Sequence, residues 1–477
     1  MKTPSQAGNL TVPCGVRPED KKAVLWNSVP SRSRQSQARL ADVVRQLDQT
    51  IIHNTFMTNS PTGRTHPSFT AWINSSNNVT QQFLSFGGRP DVVSLAGGLP
   101  ATELYPVEVV KQAAVRVMER HGGAALEYGS VEGLYLLREL IAKRMSAETG
   151  GTFTADNVLL TTGAMQGLDL IGKALVDPGD LIVAQSPTYL GALDAWRPRL
   201  PAYEALDWND MGEALEASLG RAKFVYTVPN YSNPTGVLVP QESRAELLKK
   251  VLKAGTWLVE DDPYRSLELD GPAGSSILGH YVAQHPGPYD GPVIYLGTVS
   301  KSLVPGLRVG WIIAAPHLIQ VLALAKQSTD LSSSVLTQAI TLELLECGFD
   351  TEHSQRAIAV YRERRDALCN EASAKLHRWF EWEVPVGGMF VWMRSINDAI
   401  DTDVLYRFAG EEKVAFVPSS VFDFTGKNRF AMRVNFTRST PDLLIEGVAR
   451  LERAVGRYLA ACKPEGLCRQ GSAVADA

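Results

Sequence analysis

Between Leu181 and Ala314, short apolar runs bounded by turn residues alternate with helical stretches. The runs are Leu181–Ala184, Phe224–Val228, Thr256–Val259, Val293–Gly297 and Val309–Ala314. Each is too short for a buried helix and too uniformly apolar for a strand with one wet face. Glu242–Lys253 and Leu318–Ser328 have helical periodicity. Upstream, so do Val107–His121, Gly133–Glu148 (stopped by Gly150 and Gly151) and Ala164–Val176, ended by Asp177-Pro178-Gly179-Asp180. Strands apolar on both faces, separated by helices, predict an α/β fold whose mostly parallel sheet is covered on both sides.

After a long helix expected over Thr351–His377 the rhythm changes. Phe380–Val384, Met389–Met393, Val414–Val417 and Phe430–Phe436 read as short strands, with helices at Thr402–Glu412 and Pro441–Leu459. That pattern predicts a smaller α+β domain. Residues 1–66 form a different kind of segment. They are polar and hold nine Lys/Arg against four Asp/Glu, and only Gln37–Ile52 has helical periodicity. We read them as a leader ending in one helix, too little for a helix-turn-helix unit. The tail after Ala461 is expected to be disordered.

Composition excludes several classes. A chain of 477 residues with 44% hydrophobic and 21% charged residues is an ordinary globular protein of two to four domains. A net charge of −4 gives no reason to expect nucleic acid or a membrane surface as partner. No apolar run reaches the roughly 18–20 residues that span a bilayer. The first residues lack the basic start and apolar core of a signal peptide, so the cytoplasm is the expected location. Cys14, Cys347, Cys369, Cys462 and Cys468 show no CxxC spacing and the eight histidines no HExxH, so no metal is expected.

Four segments carry chemistry. Thr298-Val-Ser300-Lys301-Ser-Leu-Val-Pro305-Gly306-Leu-Arg308 puts a lysine on a turn at a strand's end, where open α/β sheets place ligands. The hydroxyls of Thr298 and Ser300 and the fork of Arg308 suit a phosphate dianion. A lysine among such groups in a partly dry pocket is pushed toward its neutral, nucleophilic form. Alone, a lysine beside a serine is an ordinary surface residue. Val259-Glu260-Asp261-Asp262-Pro263-Tyr264 ends a strand in consecutive acids, and a buried carboxylate there needs a cationic partner such as a protonated ring nitrogen. Asn233-Pro234-Thr235-Gly236 is first of all a turn, with Asn233 and Tyr264 available as donors to a ring oxygen. Thr161-Thr162-Gly163-Ala164-Met165 opens a helix whose free N–H groups make a phosphate seat.

In this order and spacing the four segments resemble the fold-type I enzymes that use pyridoxal 5′-phosphate (PLP), within the class I/II aminotransferases and the branch of 2-aminoadipate and kynurenine aminotransferases. The resemblance spans about residues 70–460. It includes Ser94-Leu-Ala-Gly97-Gly98-Leu99-Pro100, Glu127-Tyr128-Gly129, Ser186-Pro187-Thr188-Tyr189 and Met432-Arg433-Val-Asn435-Phe436. It implies a large domain over 105–350 with a mostly parallel seven-stranded sheet, and a small α+β domain over 351–462. Residues 67–104 would join the small domain, with a leader over 1–66 and a tail over 463–477.

The resemblance also implies roles. Lys301 holds PLP as a Schiff base and shuttles the substrate's proton. Asp261, three residues before Tyr264 and so preferred to Asp262, pairs with the ring nitrogen. Asn233 and Tyr264 hold the phenolate oxygen, and Tyr189 stacks on the ring. Thr298, Ser300, Arg308 and the amides of Ala164 and Met165 bind the phosphate. Tyr128 reaches the phosphate of a neighbouring subunit, which makes the enzyme a homodimer. Arg433 grips the substrate α-carboxylate, with Asn233 and Gly98 beside it.

Three functions come into question. In the first, the enzyme passes the amino group of an L-amino acid to a 2-oxo acid. In the second, the same residues serve elimination, replacement, cyclisation, decarboxylation or oxidative deamination. The third, a transcription regulator with an aminotransferase-like sensor, needs an N-terminal winged helix that the leader does not show. Ala164 stands where many relatives of this branch carry a serine. The segment 271–291, rich in Gly, Pro and His, is expected to be an unusually long loop, and it leaves the substrate open.

Overall fold

The computed structural model describes residues 70–74 and 88–461. The leader 1–66 with its expected helix, the tail after Ala461, and Cys14, Cys462 and Cys468 lie outside them. Residues 70–74 carry one short helix, Ala71–Asn74, in a unit separate from the rest. Residues 88–461 carry all the described strands and the other described helices.

In chain order the strands are β1 (Val93–Ser94), β2 (Val158–Thr161), β3 (Leu181–Gln185), β4 (Ala202–Leu206) and β5 (Ala222–Thr227). Then come β6 (Trp257–Asp261), β7 (Val293–Thr298), β8 (Gly310–Ile313), β9 (Phe380–Glu381) and β10 (Phe390–Ser395). The last three are β11 (Val414–Ala415), β12 (Val417–Pro418) and β13 (Ala431–Asn435). Seven of them form one sheet in the order β2-β8-β7-β6-β5-β3-β4. β8 runs antiparallel to both of its neighbours, and the other four pairings are parallel.

Alternate residues of each central strand supply two separate cores. Ile182, Phe224, Tyr226, Val259 and Ile294 pack on one face. Val183, Val225, Leu258, Val293 and Tyr295 pack on the other. Period-two alternation between two buried faces is why these strands read as unbroken apolar runs.

β12-β13-β10-β9 make a four-stranded antiparallel sheet, and β1 pairs in parallel with β11. The expected single strand Val414–Val417 is therefore two strands in two sheets, with Phe416 between them. A four-residue apolar run carries no mark of a change of partner. β2 lacks a sequence expectation because its four residues run straight into the turn before the Ala164 helix. β4 was hidden for another reason: as an edge strand it is half exposed and reads Ala-Tyr-Glu-Ala-Leu. The helix Val335–Glu346 was also unforeseen.

The segment 271–291 is not a plain loop. It contains the helix Ile277–Gln284, N-capped by the Ser276 hydroxyl on Gly279 N–H. The buried carboxylate of Glu260 also accepts the N–H groups of Ile277 and Leu278, at 2.8 and 2.9 Å. Eight residues between glycines and prolines are short for a periodicity argument, and their anchor lies elsewhere in the sequence. Among the described residues no helix is long and apolar enough to cross a membrane.

Candidate active site

A cavity of about 470 Å³ opens at the carboxyl ends of β6 and β7, between the large sheet and the four-stranded one. Asp261 is the last residue of β6 and Thr298 the last of β7, and the turn after β7 carries Lys301. That turn is built by Thr298. Its hydroxyl donates to Val309 O at 2.9 Å and accepts from Ser300 N–H at 3.1 Å. Thr298 is thus a brace behind the turn and is not among the residues lining the cavity, whereas Ser300, Lys301 and Arg308 are.

Lys301 Nζ donates to the carbonyl of Gly98 at 2.9 Å. Loss of hydration, followed by the charges of Arg433 and Arg308, pulls its amine down to about 8. A lysine in that condition is a nucleophile near neutral pH.

Asp261 ends β6 and Asp262 follows directly after it, and their carboxylates meet different partners. Asp261 lines the cavity. Its Oδ2 accepts from the Tyr226 hydroxyl at 2.8 Å and its Oδ1 has no partner. Burial pushes its carboxyl up to about 7, with the Tyr226 bond acting against the shift. Asp262 is fully engaged elsewhere. It accepts Asn230 Nδ2 at 2.9 Å on both oxygens and Tyr295 OH at 3.1 Å, with Arg265 3.7 Å away.

Tyr264 and Asn233 meet at 3.3 Å (Nδ2 to OH). Arg433, from β13, closes the cavity. Its Nη1 donates to Asn233 Oδ1 at 2.7 Å and its Nη2 to Ala96 O at 2.6 Å, while the buried Nε has no partner. The guanidinium lies over the rings of Phe390 and Phe422, 4.4 and 4.9 Å from their centroids, and burial pulls it down to about 10.

At the opposite end lies the first turn of the helix Ala164–Leu175, whose leading N–H groups have no intrahelical acceptor. Gly163 precedes it at φ 78°, and a Cβ there would stand 2.4 Å from Arg308 Nη2. Only glycine lets the guanidinium lie across the helix entry. Arg308 itself has φ 52° and donates from Nη2 to Thr162 O at 3.2 Å. Tyr189 flanks the cavity beside Met165, its phenol pushed up to about 12 by burial.

Of the residues singled out from sequence, the fold brings Gly98, Ala164, Met165, Tyr189, Asn233, Asp261, Tyr264, Ser300, Lys301, Arg308 and Arg433 around one cavity. Thr298 stands behind it. Tyr128 stands apart, 78% exposed on the same chain. Sequence reasoning missed Tyr226, Phe390, Phe422 and the Ala96 carbonyl. Tyr226 left a faint signal, since a phenol inside an apolar strand needs a hydrogen-bond partner.

A deprotonating lysine, an arginine beside a helix entry, and a buried acid with one idle oxygen fit one cofactor. Arg308 with the helix amides suits its phosphate, and Asp261 Oδ1 suits the proton of a ring nitrogen. The fold and cavity define a PLP-dependent α/β enzyme. The family model "Aminotransferase class I and II" matches residues 90–451, and the chain belongs to that family. It is 36% identical to the aromatic-amino-acid aminotransferase 1 of Thermococcus litoralis over 79% of this chain and 90% of that one. It is 37% identical to the 2-aminoadipate transaminase of Thermus thermophilus, over 80% and 94%. The α-aminoadipate aminotransferase structure from Thermus thermophilus, complexed with N-(5′-phosphopyridoxyl)-L-leucine, superposes with a TM-score of 0.73. There the identity is 34%, over 82% of this chain and all of that one. The chain is accordingly a PLP-dependent aminotransferase, moving an amino group from an amino acid to a 2-oxo acid.

Proposed function

We propose that the cavity takes L-amino acids with apolar or aromatic side chains as amino donors, and that its residues divide the work of transamination among them. Bound PLP supplies a carbonyl that condenses with amines and a ring that withdraws electrons from the substrate α-carbon. Lys301 would hold the cofactor through its amine and would carry the substrate's α-proton. Asp261 keeps the ring nitrogen protonated. Asn233 and Tyr264 donate to the phenolate oxygen, and Tyr189 covers the ring. Ser300, Arg308 and the Ala164 and Met165 amides hold the phosphate. Arg433, already oriented by Asn233 and Ala96, binds the α-carboxylate, and Gly98 leaves room beside it.

The observation that carries the substrate class is the apolar part of the cavity lining, made by Leu99, Leu190, Val417, Val421 and Phe422, with Val417 paired to Arg433 and Phe422 against its guanidinium. The aromatic-amino-acid relative supports it. Stopped-flow absorbance tests it: L-phenylalanine and L-leucine should convert bound PLP to pyridoxamine phosphate faster than L-aspartate, and a 2-oxo acid should reverse the change. Fastest conversion by L-aspartate overturns the substrate class.

A homodimer completes this reading. Val107, Leu126, Tyr128 and Leu136 are all more than half exposed, large apolar side chains of the kind that a second copy would cover. Tyr128 would reach the partner's phosphate across that interface. Sedimentation of wild type and Leu126→Glu checks this, with a monomer expected for the variant.

A further inference from the structure

One oxygen of Asp261 is free and the other is held by a residue that belongs to none of the sequence motifs. Tyr226 lies on β5, the parallel neighbour of β6, and its hydroxyl donates to Asp261 Oδ2 at 2.8 Å. Both side chains are buried, Tyr226 completely. The phenol ring is itself fixed. Trp196 meets it edge-on, with centroids 5.1 Å apart and planes at 83°. The Trp196 indole Nε1 in turn donates to Leu168 O at 2.8 Å, inside the helix whose first turn faces the phosphate end of the cavity. A single indole therefore braces both that helix and the partner of Asp261.

A phenol in this place has two physical effects. It fixes the rotation of the carboxylate, so that Oδ1 is the oxygen left for the cavity. It also favours the charged carboxylate in a place where burial favours the neutral acid. Burial and the charge of Asp261 hold the Tyr226 phenol well above its ordinary range, so it remains a donor.

We propose that Tyr226 is a positioning residue for the cofactor's ring nitrogen, acting through Asp261: it occupies Oδ2, keeps the carboxylate ionised, and presents Oδ1 to the ring N–H. This rests on the assignment of Asp261 to the ring nitrogen. It also predicts that the worth of that contact depends on a hydroxyl that never touches the cofactor.

Equilibrium binding to the apoenzyme tests it with two probes, PLP and the analogue in which a CH group replaces the ring nitrogen. A hydrogen bond to a charged group favours PLP by roughly tenfold or more in the wild type. In Tyr226→Phe, which removes one oxygen and keeps the ring against Trp196, that preference should shrink at least about threefold, since only part of a charged bond's worth is lost. Tyr226→His returns a donor, and its preference should lie above that of Tyr226→Phe. Equal weakening of both probes in Tyr226→Phe, or no change in their ratio, overturns the proposal. So does a histidine variant no better than phenylalanine. Failure of both variants to fold would make Tyr226 a core residue and overturn it as well. Asp261→Asn separates the two claims. If it leaves the wild-type ratio intact, the assignment of Asp261 itself fails; if it abolishes the ratio while Tyr226→Phe leaves it unchanged, only the Tyr226 proposal falls.

Discussion

Lys301 Nζ and the Gly98 carbonyl oxygen are 2.9 Å apart across 203 positions of sequence. The bond holds the tip of the β7–β8 turn against the segment that follows β1. It gives the free amine an acceptor that the cofactor's carbon would replace. Gly98 is tightly placed, since a Cβ there would come within 3.1 Å of Phe390 Cζ.

Replacement of Lys301 by alanine should reduce transamination by at least about 10³-fold, because one residue supplies both the covalent attachment and the proton transfer. The variant should still retain PLP through Arg308 and the helix amides. Borohydride treatment of the wild type followed by peptide mass analysis should find the phosphopyridoxyl group on Lys301. A label on another lysine refutes the assignment.

The depressed amine gives a pH signature. Lys301 sits at about 8 in the fold against an ordinary 10.5. The rate at which apoenzyme captures PLP should climb about tenfold per pH unit below 8 and level off above it, as the neutral amine accumulates. For stability the sign follows from proton counting. Between about 8 and 10.5 the unfolded chain binds the extra proton, so apoenzyme stability should rise with pH across that window. Arg433→Leu removes a neighbouring positive charge and should move the capture midpoint upward.

Adjacent acids should fail in different ways. Asp262→Asn breaks a buried network with Asn230, Tyr295 and Arg265, at a cost of about 3 kcal/mol, read as a lower urea midpoint. Its catalytic rate should stay within about tenfold of wild type, since the lost contacts are structural. Asp261→Asn removes a carboxyl that burial already pushes to about 7, so stability should hold or improve while exchange of the substrate α-proton slows by orders of magnitude. Catalytic loss at Asp262 without loss of stability would mean that the two acids are exchanged in role.

Arg433→Lys keeps the charge and loses the fork. Its two anchoring bonds, to Asn233 and Ala96, leave Nε and the outer edges of the guanidinium for a carboxylate. An ammonium cannot make that set of contacts. The ratio kcat/KM should fall by about 100-fold for every amino acid tested, chiefly through KM.

Much of this site is legible in the sequence because its parts are local. Lys301, Asp261, Tyr264, Asn233 and Arg308 each lie within a few residues of a strand end, and strand ends can be read from apolar runs meeting turn residues. What escaped depends on partners remote in sequence. Tyr226 reads as one more large apolar residue, and its hydroxyl acquires meaning only when β5 pairs with β6. Phe422 and Phe390 reach Arg433 from separate elements, and no spacing announces that. The way the Thr298 hydroxyl points toward the turn is hidden for a subtler reason. A hydroxyl beside a lysine turn can face the ligand or the turn, and only the backbone path to Val309 decides. The helix Ile277–Gln284 belongs to the same class, its first turn being anchored by Glu260 from β6.

The order in which these groups are strung has a consequence for synthesis. A ribosome-bound chain that has just released β8 already contains Tyr189, Asn233, Asp261, Lys301 and Arg308, the groups assigned to PLP. It does not yet contain Arg433, which arrives with the penultimate element, nor the two phenylalanine rings that flank it. Such a nascent chain holds the parts for capturing the coenzyme but not the guanidinium of the carboxylate grip. Amino acids therefore meet a competent pocket only after translation has passed β13, so that the coenzyme's site is written earlier in the message than the substrate's.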